Sequence, residues 1–245
     1  MKLVAAIRIL GLVALVGLTT TVSRAQSASP QLTYVLKQMD TASEKFQRAT
    51  ADFHWEYYER VVHDTTTQTG MIYFEHQGGG VGMGAVVTAP EMGPKGKPKV
   101  DKVIEYKAGT LQMFDPSVDQ ITVLRAGANQ AEYEGFLTLG FGGSGTELER
   151  AWHIADLGPE MLNDAGQPVK TEKLDLTAKD PKTSSMFTHI TIWVDPTRAV
   201  SLKQVFFTSA GNYRTALYSH IQVNGNVHKD EFAIKRDKNT TVVNR

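Results

Sequence analysis

The chain contains no cysteine. Disulfides and a lipid-modified N-terminal cysteine are therefore excluded, and the fold rests on its core alone. It has no surplus of either charge: 26 Lys and Arg stand against 26 Asp and Glu, well mixed along the chain. No basic patch points to nucleic acid. The apolar run Ile9–Leu18 falls short of the roughly 20 residues that span a bilayer. The seven histidines show no His-x-His or His-Glu-x-x-His spacing, so no metal site is indicated. Gly142-Gly-Ser144-Gly-Thr146 lacks the last glycine of a nucleophile elbow, and no lysine precedes a Ser or Thr in a phosphate-cradling loop. No acid–base pair stands out either. The expectation is a binding protein without catalysis, cofactor or metal.

The N-terminus carries an address. Lys2 and Arg8 precede the apolar run, and a polar segment ends in Ser23-Arg24-Ala25. A basic start, an apolar middle and a small-residue end describe a removable export signal over residues 1–25, cleaved after Ala25. Residues 26–245 then form the mature domain. Its 220 residues hold 23 basic and 26 acidic side chains, a formal charge of −3. That length supports one substantial core, and a soluble monomer is expected.

Periodicity sets the architecture. Leu32, Val35, Leu36, Met39 and Phe46 recur at three- and four-residue spacing, predicting a helix from Pro30 to about Ala49. Phe53 to Val62 alternates, with Phe53, Trp55, Tyr57 and Val61 on one face and His54, Glu56, Tyr58 and Arg60 on the other. Strands follow at Gly70–Glu75 and Val81–Thr88, then a loop from Pro90 to Val100. Asp101–Leu124 reads as three short strands with reversals at Lys107-Ala108-Gly109 and Asp115-Pro116-Ser117. Leu111 and Met113 share one face there, Gln112 and Phe114 the other.

Between Arg125 and Trp152 the alternation stops. Two short helices are expected, joined by Gly140-Phe-Gly-Gly-Ser-Gly145 as a hinge that lets the segment move. Strands resume at Trp152–Leu157, Val169–Ala178, Phe187–Asp195, Ser201–Ser209 and Tyr213–Val223. The sum is an α+β fold of about eleven hairpin-linked strands in a single, strongly curved antiparallel sheet, with helices on its concave side. A sheet with one apolar face must cover it with helices, a second sheet or a ligand.

Val103-Ile-Glu-Tyr-Lys-Ala-Gly-Thr-Leu-Gln-Met-Phe-Asp-Pro116 followed by Gln120 resembles the signature of the LolA-type periplasmic lipoprotein carriers. Leu174-Asp-Leu-Thr-Ala-Lys179, Ile190-Thr-Ile-Trp-Val-Asp195, Phe232-Ala-Ile-Lys-Arg and Val242-Val243 extend the resemblance over nearly all of the mature chain. It implies an open, incomplete β-barrel whose helices form a lid over an apolar cavity. It also implies a periplasmic chaperone carrying acylated lipoproteins from an inner-membrane ABC transporter to an outer-membrane acceptor. On that reading Phe53, Trp55, Tyr57, Ile72, Phe74, Leu111, Met113, Ile121, Val123, Ile190, Ile192 and Leu217 are the cavity candidates, and Leu36, Met39, Phe136, Leu137 and Phe141 the lid candidates. One departure is visible: where the family has an arginine beside a proline, this chain reads Phe74-Glu-His-Gln-Gly-Gly-Gly80, and no gating residue is transferred. The alternatives are a free lipid or glycolipid as cargo, or a sensory or regulatory domain of the cell envelope built on the same half-barrel.

Overall fold

The computed structural model describes residues 29–77, 80–93, 96, 98–127 and 130–245; the expected leader lies outside them. Helix α1 (Pro30–Ser43) begins at Ser29, whose hydroxyl accepts from the Leu32 N–H, with proline in the first turn, where a missing N–H is harmless. Its stripe of Leu32, Val35, Leu36 and Met39 is buried. There follow strands β1 (Arg48–Glu59), β2 (Asp64–Gln77), β3 (Gly80–Met92), β4 (Pro98–Lys107), β5 (Thr110–Asp115) and β6 (Gln120–Arg125). Helices α2 (Gln130–Thr138) and α3 (Gly145–Ala151) come next. Strands β7 (Trp152–Asp164) and β8 (Gln167–Ala178), helix α4 (Pro181–Met186), and strands β9 (His189–Asp195), β10 (Val200–Phe207), β11 (Tyr213–Val223) and β12 (Thr241–Asn244) complete the fold.

All the strands join one sheet of twelve in the order β12-β6-β5-β4-β3-β2-β1-β11-β10-β9-β8-β7. The two ends do not pair, so the barrel is open. Its curvature is read from one contact: β7 and β11 have three strands between them, about 19 Å apart at ordinary strand spacing. Yet the Asp164 carboxylate of β7 accepts from the Ile221 N–H of β11 at 3.3 Å. Only a strongly curled sheet allows that.

The three-strand stretch lies where its turns put it. Ala108 and Gly109 have φ of 49° and 73°, the left-handed pair of a two-residue hairpin loop. At the next reversal the Asp115 carboxylate accepts from the Ser117 N–H at 2.9 Å and from its hydroxyl at 2.6 Å. Five expectations need correction. The helix from Pro30 stops at Ser43 rather than near Ala49, because β1 already starts at Arg48. The strand from Trp152 runs on to Asp164, because a bulge between Asp156 and Pro159 carries the pairing past the proline on an edge strand. The loop from Pro90 is shorter, since Met92 still pairs with Pro98. A short helix, α4, stands where none was expected, capped by the Asp180 side chain on the Thr183 N–H and opened by a proline. Finally the strands number twelve, and β12 runs parallel to β6 rather than antiparallel. The chain after β11 crosses the outer face of the sheet before adding to that edge: Phe232 packs edge-on against Tyr73, and Lys229 pairs with Glu75.

The helices cover the inner face. α1 lies over Leu174, Leu176, Ile190, Ile192 and Val194 of β8 and β9. Phe141, between α2 and α3, plugs the middle of the sheet, stacked on Phe74 at 4.3 Å and edge-on to Tyr218 at 5.0 Å. Fully burying such a side chain stabilises by about 1.5–3 kcal/mol.

Candidate functional site

An apolar cavity of about 630 Å³ lies beneath α2, between α3, the start of β3 and the start of α4. Met39, Phe136, Leu139, Leu148 and Trp152 line it with hydrocarbon, and His76, Glu134, Arg150, Lys179 and Asp180 supply polar groups. The volume falls within the roughly 300–1,000 Å³ of small-ligand pockets, which are mostly apolar with a few placed polar groups. The Phe136 ring meets Trp152 at 6.2 Å and Phe187 at 5.5 Å, both edge-on, so aromatic edges shape one wall. Asp180 is held below the usual carboxylate range, chiefly by the Thr183 N–H that it caps.

The walls differ in how firmly they are fixed. α3 starts with a capping box: Ser144 accepts from the Glu147 N–H, and the Glu147 side chain returns to the Ser144 N–H. Asp40 of α1 accepts from the Thr146 N–H at 2.8 Å and from its hydroxyl at 3.0 Å. A Cβ on Gly145 would collide with the Leu36 carbonyl, so the two helices touch backbone to backbone. The glycine-rich link is likewise fastened, with Gly142 N–H to the Ala199 carbonyl at 2.8 Å and Ser201 N–H to the Gly140 carbonyl at 2.7 Å. Close approach, rather than hinge freedom, is what those glycines serve, which corrects the expectation of a mobile hinge.

α2 is held by less. The Tyr106 hydroxyl donates to Glu134 at 3.1 Å, and the Gln130 amide donates to the same carboxylate oxygen at 2.9 Å. Gly109 lets the Gln130 side chain lie against the β4–β5 turn, where any Cβ would strike it. Burial, reinforced by the bond to Glu134, pushes the Tyr106 hydroxyl up to about 12. Tyr106 stood in the sequence signature, but nothing there marked it as the partner of a glutamate 28 residues on.

The expected site residues fall into distinct places. Of the lid set, Met39 and Phe136 line the cavity; Leu36 and Phe141 are packed core, and Leu137 lies half-buried against the central core. None of the twelve cavity candidates lines it. Phe53, Ile72, Phe74, Ile190 and Ile192 are tightly packed on the inner face, with Trp55 and Leu111 against them. Tyr57 and Met113 lie half-buried farther along that face, by their pairing with Arg214 and Ile104.

Three sit on the wrong face. Ile121 and Val123 pair with Phe114 and Gln112, opposite to Leu111 and Met113, and are buried on the outer face where β12 adds to β6. Leu217 pairs with His54 and Lys203, also outward, and is 39% exposed. Trp152, Leu139 and Leu148 were missed as lining residues. The apolar positions that flank the glycine-rich link were their one signal.

No protein-family model matches the chain, and no curated protein does. Solved structures match it in fold. An uncharacterized conserved protein from Thermus thermophilus superposes with a TM-score of 0.50 at 9% identity, over 88% of this chain and 99% of that one. LolA-type proteins are among its fold neighbours. A LolA superfamily protein from Nitrosomonas europaea has a TM-score of 0.37 at 14% identity, over 83% of this chain and 97% of that one. MucB gives 0.49 at 13% identity, over 85% of this chain but only 64% of that one. At these identities the likeness is one of fold.

Proposed function

We propose that this protein is an acyl-chain-binding chaperone of the cell envelope, carrying lipoproteins between membranes with their acyl chains sheltered under α2. The observation that carries this is the 630 Å³ largely apolar cavity of an open half-barrel, closed on one side by a helix that, among the described residues, bonds to the sheet through Tyr106 and Glu134. Each methylene taken out of water is worth about 0.8 kcal/mol, so acyl chains in transit need such shelter. A carrier must also release them. A lining that mixes hydrocarbon with a rim of charged groups grips acyl chains without a fixed geometry, and a lightly held lid gives a path out. The sequence supplies the address, an export signal with cleavage after Ala25. Among the described residues no helix is long and apolar enough to cross a membrane. The donor and acceptor membranes, and the transporter and receptor on them, follow from the sequence resemblance.

Native mass spectrometry of the mature protein from the envelope of its own host tests this. A co-purifying triacylated lipoprotein is expected. Free lipid or glycolipid would keep the site and change the cargo, whereas a protein partner without acyl chains would turn the reading to regulation.

A further inference from the structure

A second cavity, about 820 Å³, opens where the β7–β8 turn, the β9–β10 turn and β11 converge beside the first turns of α1. Three buried side-chain polar atoms lack a hydrogen-bond partner among the described residues, and two of them, Arg198 Nη2 and Glu172 Oε2, belong to residues that line this one cleft. A buried polar atom left unmatched is costly, and more so when it is charged. Two such atoms of opposite demand in one cleft describe a partner that carries both signs.

The cleft is built to keep them so. Arg198 donates from Nε to Asp195 at 2.7 Å and from Nη1 to Asp164 at 3.0 Å. With both carboxylates themselves buried, the guanidinium cannot rotate, and Nη2 keeps a fixed direction. Glu172 is 4% exposed. Its Oε1 accepts from the Gln31 amide at 3.3 Å and has Lys170 at 3.9 Å, while Oε2 has nothing. Gln31 forms the rim, so a ligand reaches Glu172 by displacing one long hydrogen bond.

We propose that this cleft binds a zwitterion, an ammonium beside an oxyanion, with Glu172 Oε2 taking the ammonium and Arg198 Nη2 the oxyanion. A simple anion would face the three buried carboxylates of Asp164, Glu172 and Asp195 against one guanidinium and the exposed Lys170 ammonium. A simple cation would leave Nη2 unmatched. The same chemistry comes from an ethanolamine phosphate headgroup or from a free amino acid, and the site stands apart from the acyl cavity.

The test is ¹H–¹⁵N NMR titration of the mature protein with O-phosphoethanolamine, L-alanine, ethanolamine and inorganic phosphate. At least one zwitterion should shift the Gln31 side-chain amide and the Thr197 and Ile221 backbone amides saturably, and more tightly than ethanolamine or phosphate. Glu172→Gln should weaken that binding at least tenfold. Preference for phosphoethanolamine assigns the site to a headgroup, and preference for alanine assigns it to an amino acid. No saturable shift in the wild-type protein overturns the proposal, whatever the variant does. So does phosphate binding that equals phosphoethanolamine and survives Glu172→Gln.

Discussion

α1 and α2 cover the same face of the same sheet, yet on the proposed function one is a wall and the other a door. α1 buries four apolar side chains to 6% exposure or less and is clamped to α3 through Asp40 and the Gly145 contact. Among its described residues α2 leaves Phe136 and Leu137 half-buried and meets the sheet through the Tyr106–Glu134 hydrogen bond. On the proposed function, this difference marks where the fold opens. Local opening draws on regions with few buried contacts, and here the region so built lies over the apolar cavity.

The wall should break expensively. Phe141→Ala, which empties the space between Phe74 and Tyr218, is expected to lower unfolding free energy by about 3–5 kcal/mol in urea titrations. Gly145→Ala pushes a methyl into the Leu36 carbonyl and should cost about 1–3 kcal/mol by the same measurement, through separation of α1 from α3. The door should respond differently. Tyr106→Phe removes one hydrogen bond and should cost only about 1 kcal/mol. It should nonetheless speed release of a fluorescent fatty acid in stopped-flow displacement, whereas Gly145→Ala tests the wall rather than the door.

The smallest effect is absent at neutral pH. Burial pushes Tyr73, Tyr106 and Tyr218 up to about 12 from an ordinary 10. A group whose folded value is raised holds its full contribution below the unfolded value and loses it as pH climbs towards the folded one. Thermal stability should therefore decline between pH 10 and 12, and Tyr106→Phe should soften that decline.

Much of this was readable from the chain. The two turns of the β4–β6 stretch fixed its pairing because Ala108-Gly109 and Asp115-Pro116 demand particular backbone geometry. The α1 stripe named its own buried face. What misled was the rule that apolar residues point inward. Ile121 and Val123 are apolar because the chain after β11 returns to cover the outer face, a contact over a hundred residues away that no local period records. Leu217 alternates with Tyr218, and only pairing with Phe53 shows that Tyr218 takes the inner place. The cavity escaped because it forms between helices and strand ends, while alternation reports strand faces.

The central claim is that acyl chains sit under α2. Tryptophan quenching by a brominated fatty acid tests it, since Trp152 lines that cavity whereas Trp55 stacks on Phe53 and Trp193 lies outward between Lys173 and Lys203. Saturable quenching that disappears in Trp152→Phe and persists in Trp55→Phe is the predicted result. Quenching that survives Trp152→Phe but is lost in Trp55→Phe would contradict the account, and so would no quenching at all.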